Sequence, residues 1–147
     1  MRILGLDLGE KRIGVAVSDP MGWTAQGLTV IAGRGPADDD IRKIKNIAKK
    51  YEVEKIVVGL PRNMDGSTGP QAEKARKFAG RLERALGLPV ETWDERLTTS
   101  AAEKLLVTAD VSRAGRRKVI DKMAAALILQ GYLDRRKAEG EAEAESR

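Results

Sequence analysis

The stretch MRILGLDLGEKRIGVAVSD, residues 1–19, decides the fold. Two runs rich in Ile, Leu and Val, Arg2 to Leu8 and Arg12 to Ser18, are separated by a few residues that include Gly9. That pattern predicts two strands joined by a short turn, with Gly14 marking a bulge or a close backbone approach. A third strand, about Gln26 to Ile31, follows a turn bearing Pro20 and Gly22, so the chain opens as an antiparallel meander.

Beyond residue 37 the periodicity changes. Ile41, Ile44, Ile47, Ala48 and Tyr51 recur at helical spacing, with Arg42, Lys43, Lys45, Lys49 and Lys50 on the other face. Asp38, Asp39 and Asp40 stand where the dipole of that helix favours acids. Lys55 to Gly59 predicts a buried strand. Pro70 to Leu86 predicts a helix opened by a capping box over Thr68 to Gln71 and ended by Gly87 and Pro89. Val90 to Trp93 predicts a last short strand. Two helices follow, about Thr99 to Val107 and Ile120 to Leu133, linked by a basic loop over Ser112 to Lys118. The order β-β-β-α-β-α-β-α-α predicts an α/β domain with a mixed sheet and helices packed on it. Residues 1–136 form one expected domain. Residues 137–147, low in complexity and charged, are expected to be a disordered tail.

The chain of 147 residues contains neither cysteine nor histidine. This excludes disulfides, thiolate and imidazole metal sites, and Ser-His or Cys-His catalysis. Chemistry must rest on carboxylates, Lys, Arg, hydroxyls or an oxygen-liganded metal. The formal net charge is +5, and the segment Asp134 to Arg147 holds four basic and five acidic residues, so the body without it carries about +6. A basic body suits a polyanion partner. No apolar run is long enough to cross a membrane, and the N-terminus reads as a strand and not a signal peptide, so a cytoplasmic location is expected.

Three places offer carboxylates at element ends. Asp7 lies in an apolar strand between Leu6 and Leu8. Asp94 and Glu95 end the last strand, where alternation lets one of them face the same way as Asp7. Asp121 shares a helix face with Ala124, Ala125 and Ile128, small enough to let a helix lie close on a sheet. Convergent acids repel unless a proton or a divalent cation joins them, and Mg²⁺ takes such hard oxygen ligands. Asp19, before Pro20, reads as a turn residue. The loop Gly59 to Gln71 runs from a strand into a helix, where Arg62 and Asn63 are placed to touch a phosphate backbone, though it lacks the ending of a P-loop. Of two basic runs, Arg42 to Lys50 reads as a solvated helix face, while Arg113, Arg116, Arg117 and Lys118 directly precede Asp121. Only five aromatics are present, so recognition of phosphates and helix shape is expected over base stacking.

Four ordered blocks carry a resemblance. The run from Leu6 to Asp19, Val58 to Ser67 with Gly69-Pro-Gln71, Asp94 to Thr99, and Asp121 with Ala124 to Ala126 and Ile128 to Gln130 together resemble the YqgF family of candidate Holliday junction resolvases. The same family is described as pre-16S rRNA nucleases. The resemblance implies a ribonuclease-H-like fold: a five-stranded mixed sheet, three antiparallel strands then parallel additions, with helices on both faces. It implies that Asp7, Glu95 and Asp121 hold Mg²⁺ or Mn²⁺, two ions being expected. Arg12, Arg62 and Asn63 would then border the substrate groove, joined by the basic cluster Arg116, Arg117 and Lys118. The implied partner is a structured RNA precursor or branched DNA, met by a monomer or homodimer. Lys122 stands where a smaller or acidic residue is expected, which bears on metal affinity. Two other readings fit parts of the sequence. The Asp7-x-Gly9 turn with Ser18-Asp19 resembles the first phosphate loop of sugar kinases and actin-like ATPases, which need a much longer chain. A non-catalytic nucleic-acid or ribosome-binding module would need no convergence of acids.

Overall fold

The structure is a computed structural model that describes residues 1–9, 11–32, 37–61, 69–94 and 113–146, with the side chains of 113–119 and 142–146 outside the description. Within these bounds lie β1 (Arg2–Leu8), β2 (Arg12–Ser18), β3 (Ala25–Ala32), α1 (Ala37–Lys50), β4 (Val53–Leu60), α2 (Pro70–Leu86), β5 (Val90–Asp94) and α3 (Arg113–Ser146). The five strands form one sheet in the order β3-β2-β1-β4-β5. β2 runs antiparallel to both β1 and β3, while β4 is parallel to β1 and to β5. This is the expected mixed sheet, with β1 as the central strand where the antiparallel and parallel halves meet.

Strand alternation sorts the side chains into two cores. Leu4 and Leu6 of β1, Ile13, Val15 and Val17 of β2, and Ile56, Val58 and Leu60 of β4 meet α1 and α2 through Ile41, Ile44, Phe78 and Leu82. On the other face Ile3, Ala16 and Val57 meet Ala125, Ile128, Leu129, Tyr132 and Leu133 of α3. The basic face of α1 is largely solvated as expected, with Arg42, Lys43, Lys49 and Lys50 exposed.

The approach of α3 to the sheet depends on missing side chains. A Cβ placed on Gly5 would lie 2.8 Å from the Leu129 Cβ, and one on Gly27 would lie 3.1 Å from the Lys122 Cβ. A Cβ on Gly14 would overlap the backbone carbonyl of Asp121. The close approach expected at Gly14 is therefore an approach of α3 itself.

Two local expectations are corrected. The cap of α2 is not the Thr68–Gln71 box: Gly69 is the N-cap, it makes no side-chain cap bond, and Pro70 occupies the first turn. Proline needs no N–H partner there, so the helix starts without a side-chain acceptor. At the other end Gly87 adopts φ 68° and its N–H bonds to the Glu83 carbonyl at 2.9 Å, as its sequence position predicts. Residues 113–118 begin α3 and do not form a basic loop. Arg, Lys and Ala are strong helix formers, and their propensity outweighs Gly115 and an N-terminal turn without acids. The chain beyond Leu133 continues as helix to Ser146. Leu133 is the last buried residue of α3, and residues 134–141 are exposed. Ala, Glu, Lys and Arg favour this projection, aided by an Arg135–Glu139 pair at 3.2 Å and i,i+4 spacing. The helix expected over Thr99–Val107 lies outside the described residues.

At the start of β4 and β5, Lys55 pairs with Glu91 at 2.8 Å beneath the Tyr132 ring of α3. Burial alone pushes the Lys55 ammonium down, but Glu91 and Tyr132 outweigh it and the pKa is raised. The Lys55 ammonium chiefly holds the Glu91 carboxyl below its ordinary 4.5. A depressed carboxylate pKa contributes stability above its ordinary value and loses it as pH falls through the folded value. The difference in urea midpoint between the native chain and Glu91→Gln should therefore correspond to about 1 kcal/mol or less at pH 7, since Glu91 is half exposed, and should shrink in acid below the depressed pKa. Gly14→Ala should be the more damaging change. It forces α3 off the sheet at a cost of about 1–3 kcal/mol, read as a fall in Tm of roughly 3–10 °C.

Candidate nuclease site

Asp7 is the penultimate residue of β1 and lies directly across from Gly14 of β2 in the antiparallel register. By alternation it shares the face of Ile3 and Gly5, the face that α3 covers. Asp121 sits on α3 where the helix backbone rests on Gly14. Two of the three expected acids, 114 positions apart in the sequence, thus flank one glycine. Both are partly buried, open enough to meet a ligand.

Arg12, the first residue of β2, lies on the same face and donates from Nε to Asp121 Oδ2 at 2.5 Å. The side chains of Arg12 and Asp121 are 31% and 20% exposed. The contact is a charge-assisted hydrogen bond that is only partly solvated. The residue expected to border the substrate groove therefore also holds the Asp121 carboxylate in position.

Asp94 is separated from these two. It ends β5 opposite Leu60, whose side chain enters the α1–α2 core, so Asp94 belongs to the face away from Asp7. Glu95 is next in sequence and lies outside the described residues, as do Arg62 and Asn63. Arg116, Arg117 and Lys118 occupy the first turns of α3, with side chains outside the description. Among the described residues no three acids are grouped to hold a metal ion. Lys122 is exposed and its Cβ rests over Gly27 of β3, two strands from Asp7 in the sheet order.

Asp19 is a turn residue, as expected. Its Oδ1 accepts the N–H groups of Trp23 at 2.6 Å and Thr24 at 3.0 Å. The Thr24 and Trp23 bonds hold its carboxyl below the usual range. Gln130 has no role legible in the sequence beyond its place in a matching block. Its Oε1 accepts the Ala25 N–H at 2.8 Å and its Nε2 donates to the Trp23 carbonyl at 3.1 Å, so α3 grips the start of β3. A glutamine one step from the apolar stripe is the available signal, but these two partners lie more than 100 positions away, while its Nε2 also donates to Asp134 on the next turn at 2.9 Å. Among the described residues no helix is long and apolar enough to cross a membrane.

Known proteins resemble this chain in sequence and in fold. Residues 1–135 match the family described as RuvX: Holliday junction resolvase. A candidate pre-16S rRNA nuclease of Pelotomaculum thermopropionicum is 68% identical over 134 residues, covering 91% of this chain and 87% of the relative. Its counterpart in Moorella thermoacetica is 61% identical over 135 residues, covering 92% and 96%. Among solved structures, Thermus thermophilus RuvC in complex with a Holliday junction substrate superposes with a TM-score of 0.60 at 16% identity, covering 94% of this chain and 96% of that one. A second T. thermophilus RuvC structure gives 0.51 at 15% identity, covering 93% and 97%. At such identity the likeness speaks to fold, and the fold is ribonuclease-H-like. The match across residues 1–135, supported by relatives at 60% identity and above, means that the chain belongs to the RuvX family, the family that its opening strands resemble under the name YqgF.

Proposed function

We propose that this protein is a metal-dependent endonuclease that hydrolyses nucleic-acid phosphodiester bonds, with Asp7, Glu95 and Asp121 as its acidic centre. The observation that carries the reading is the meeting of Asp7 and Asp121 around Gly14. The names borne by similar relatives point to the precursor of 16S rRNA as substrate, and the family description to branched DNA. The precursor RNA is the reading preferred for this chain, because the relatives at 60% identity and above carry it consistently. Residues 1–136 make up the working domain, in the cytoplasm.

The residues fit a hard divalent cation. Their donors are carboxylate oxygens, no thiol or imidazole exists in the chain, and Asp121 already holds a positive group in Arg12. Asp7, Glu95 and Asp121 would hold Mg²⁺ or Mn²⁺, two ions being the favoured number. When bound, the metal would supply a lowered pKa for the attacking water and positive charge for the leaving oxygen of a phosphodiester. The chain supplies the rest. Asp7 projects from the central strand of the sheet, its position set by its own pairing with Gly14 of β2 and by the pairing of the preceding residues of β1 with β4. Asp121 is fixed by the contact of α3 with Gly14 and by the Arg12 bond. Arg12 neutralises Asp121, then turns its remaining guanidinium N–H groups to a phosphate oxygen of the substrate. Arg62, Asn63, Arg116, Arg117 and Lys118 steady the backbone on either side.

Asp7→Asn should abolish cleavage of precursor RNA and of Holliday junctions in Mg²⁺ while leaving Tm and substrate binding near native. Undiminished cleavage by that variant would remove Asp7 from the centre. EDTA should stop the native enzyme and added Mg²⁺ or Mn²⁺ restore it. Metal-independent binding with no cleavage of any substrate would support the binding-module reading instead. Arg12→Gln should cost about 1 kcal/mol of stability or less, because the pair is partly exposed, yet reduce kcat by roughly 10–100-fold through misplacement of Asp121. The measurement is single-turnover cleavage beside urea denaturation.

A further inference from the structure

The stretch of α3 at the other end of the sheet gathers groups that the acidic centre does not use. Three of the chain's five aromatics, Trp23, Trp93 and Tyr132, stand there beside Arg135, Arg136 and Lys137. Arg135 lies 5.7 Å from the centroid of Trp93, and Lys137 Nζ lies 4.9 Å from that of Trp23. Arg136 lines both clefts of this end, one of about 430 Å³ beside Trp93 and one of about 270 Å³ beside Trp23. The Trp93 cleft also holds Glu91 and Glu139, which offset its cations. The Trp23 cleft is different. Trp23, Met21 and Leu133 give it apolar walls, Arg136 and Lys137 give it charge, and no carboxylate is among its lining residues.

Trp23 is 60% exposed and Met21 70% exposed, an unusual outlay of apolar surface in a chain with two tryptophans. The backbone beneath the indole is nonetheless fixed on both sides. Its N–H donates to Asp19 and its carbonyl accepts from Gln130, which also holds Ala25. A large aromatic side chain on a braced backbone loses little entropy when a partner covers it. The cations around it select an anionic partner. They argue against a second copy of this chain, since a two-fold contact would set the same cations face to face.

We propose that the Trp23 cleft is a second nucleic-acid contact, in which an unpaired base stacks on the Trp23 indole and Arg136 and Lys137 hold the adjoining phosphates. The proposal rests on the nuclease reading and extends it to the opposite end of the sheet. Fifteen helical residues from Asp121 to Arg136 span about 22 Å, and six strand residues from Asp7 to Met1 about 20 Å. The two estimates agree. They place the stacked base about six steps of duplex from the acids, at roughly 3.4 Å a step. The enzyme would then favour substrates in which a paired region at the acids continues into a single-stranded flank. Lys137, exposed to solvent, moves from the ring to a phosphate when the base arrives.

The test separates this contact from the acidic centre by working in EDTA, where no cleavage is expected. In Trp93→Phe, Trp23 is the sole tryptophan, and its emission is followed while single-stranded RNA of roughly 12 nucleotides is added. Saturable quenching that disappears at high salt is expected, with little quenching by an abasic oligomer of the same length. In the otherwise native chain, Trp23→Ala should weaken binding of labelled RNA roughly tenfold, and Trp23→Phe should restore most of it. Native affinity in Trp23→Ala, with no quenching of Trp23, would overturn the second contact and leave the nuclease reading standing. Absence of any RNA or DNA binding by the native chain would overturn both. Displacement of the RNA by polyglutamate as effectively as by unlabelled RNA, or quenching that follows protein concentration alone with dimers in sedimentation, would assign the cleft to a protein partner instead.

Discussion

The contact between the backbone of α3 and Gly14 of β2 sets the geometry of everything around it. A helix ordinarily stands off a sheet by the thickness of its side chains. Here Gly5, Gly14 and Gly27 remove that thickness on three adjacent strands, and α3 settles onto the backbone. The gain is positional more than energetic. Asp121 is brought to the strand pair that carries Asp7, where the cross-strand register places Asp7 opposite the same glycine. A bulkier residue at position 14 would lift the helix and separate the two carboxylates even if the fold survived.

Placing acids together creates a second constraint. Carboxylates that converge without a counter-charge raise each other's pKa and strain the fold. Arg12 answers this for Asp121 through a contact available only because β2 begins beside the end of β1. The arrangement holds Asp121 in place in the free protein. On the proposed function, it also leaves the guanidinium at hand for a phosphate of the substrate.

Much of this is legible in the sequence because it rests on local chemistry. The bounds of β1, β2 and α2 follow from apolar runs punctuated by glycine and proline, and the sheet's antiparallel-then-parallel order from the lengths of the connections. Asp7 is legible as an acid near a strand end, Asp121 as an acid bordering the apolar stripe of a helix that in fact begins at Arg113, about two turns earlier, and Gly14 as a close approach. The bonds of Arg12 to Asp121 and of Gln130 to Ala25 are not, since each joins positions more than 100 residues apart and no local pattern encodes them. The start of α3 escapes a local reading because basic residues at a helix N-terminus oppose the dipole, a penalty smaller than the helix propensity of Arg, Lys and Ala.

The same helix that fixes Asp121 carries Arg135, Arg136 and Lys137 several turns later, so the two ends of the sheet that it crosses differ in charge. The acidic end needs a counter-ion and the basic end needs an anion. A strand of nucleic acid lying along α3 satisfies both demands at once, with its phosphates drawn to the cations and its scissile bond delivered to the acids. Since α3 is braced against the sheet from Asp121 to Leu133, the distance between the two ends is fixed. A fixed distance is what converts general attraction for a polyanion into a choice of where along that polyanion the cut falls.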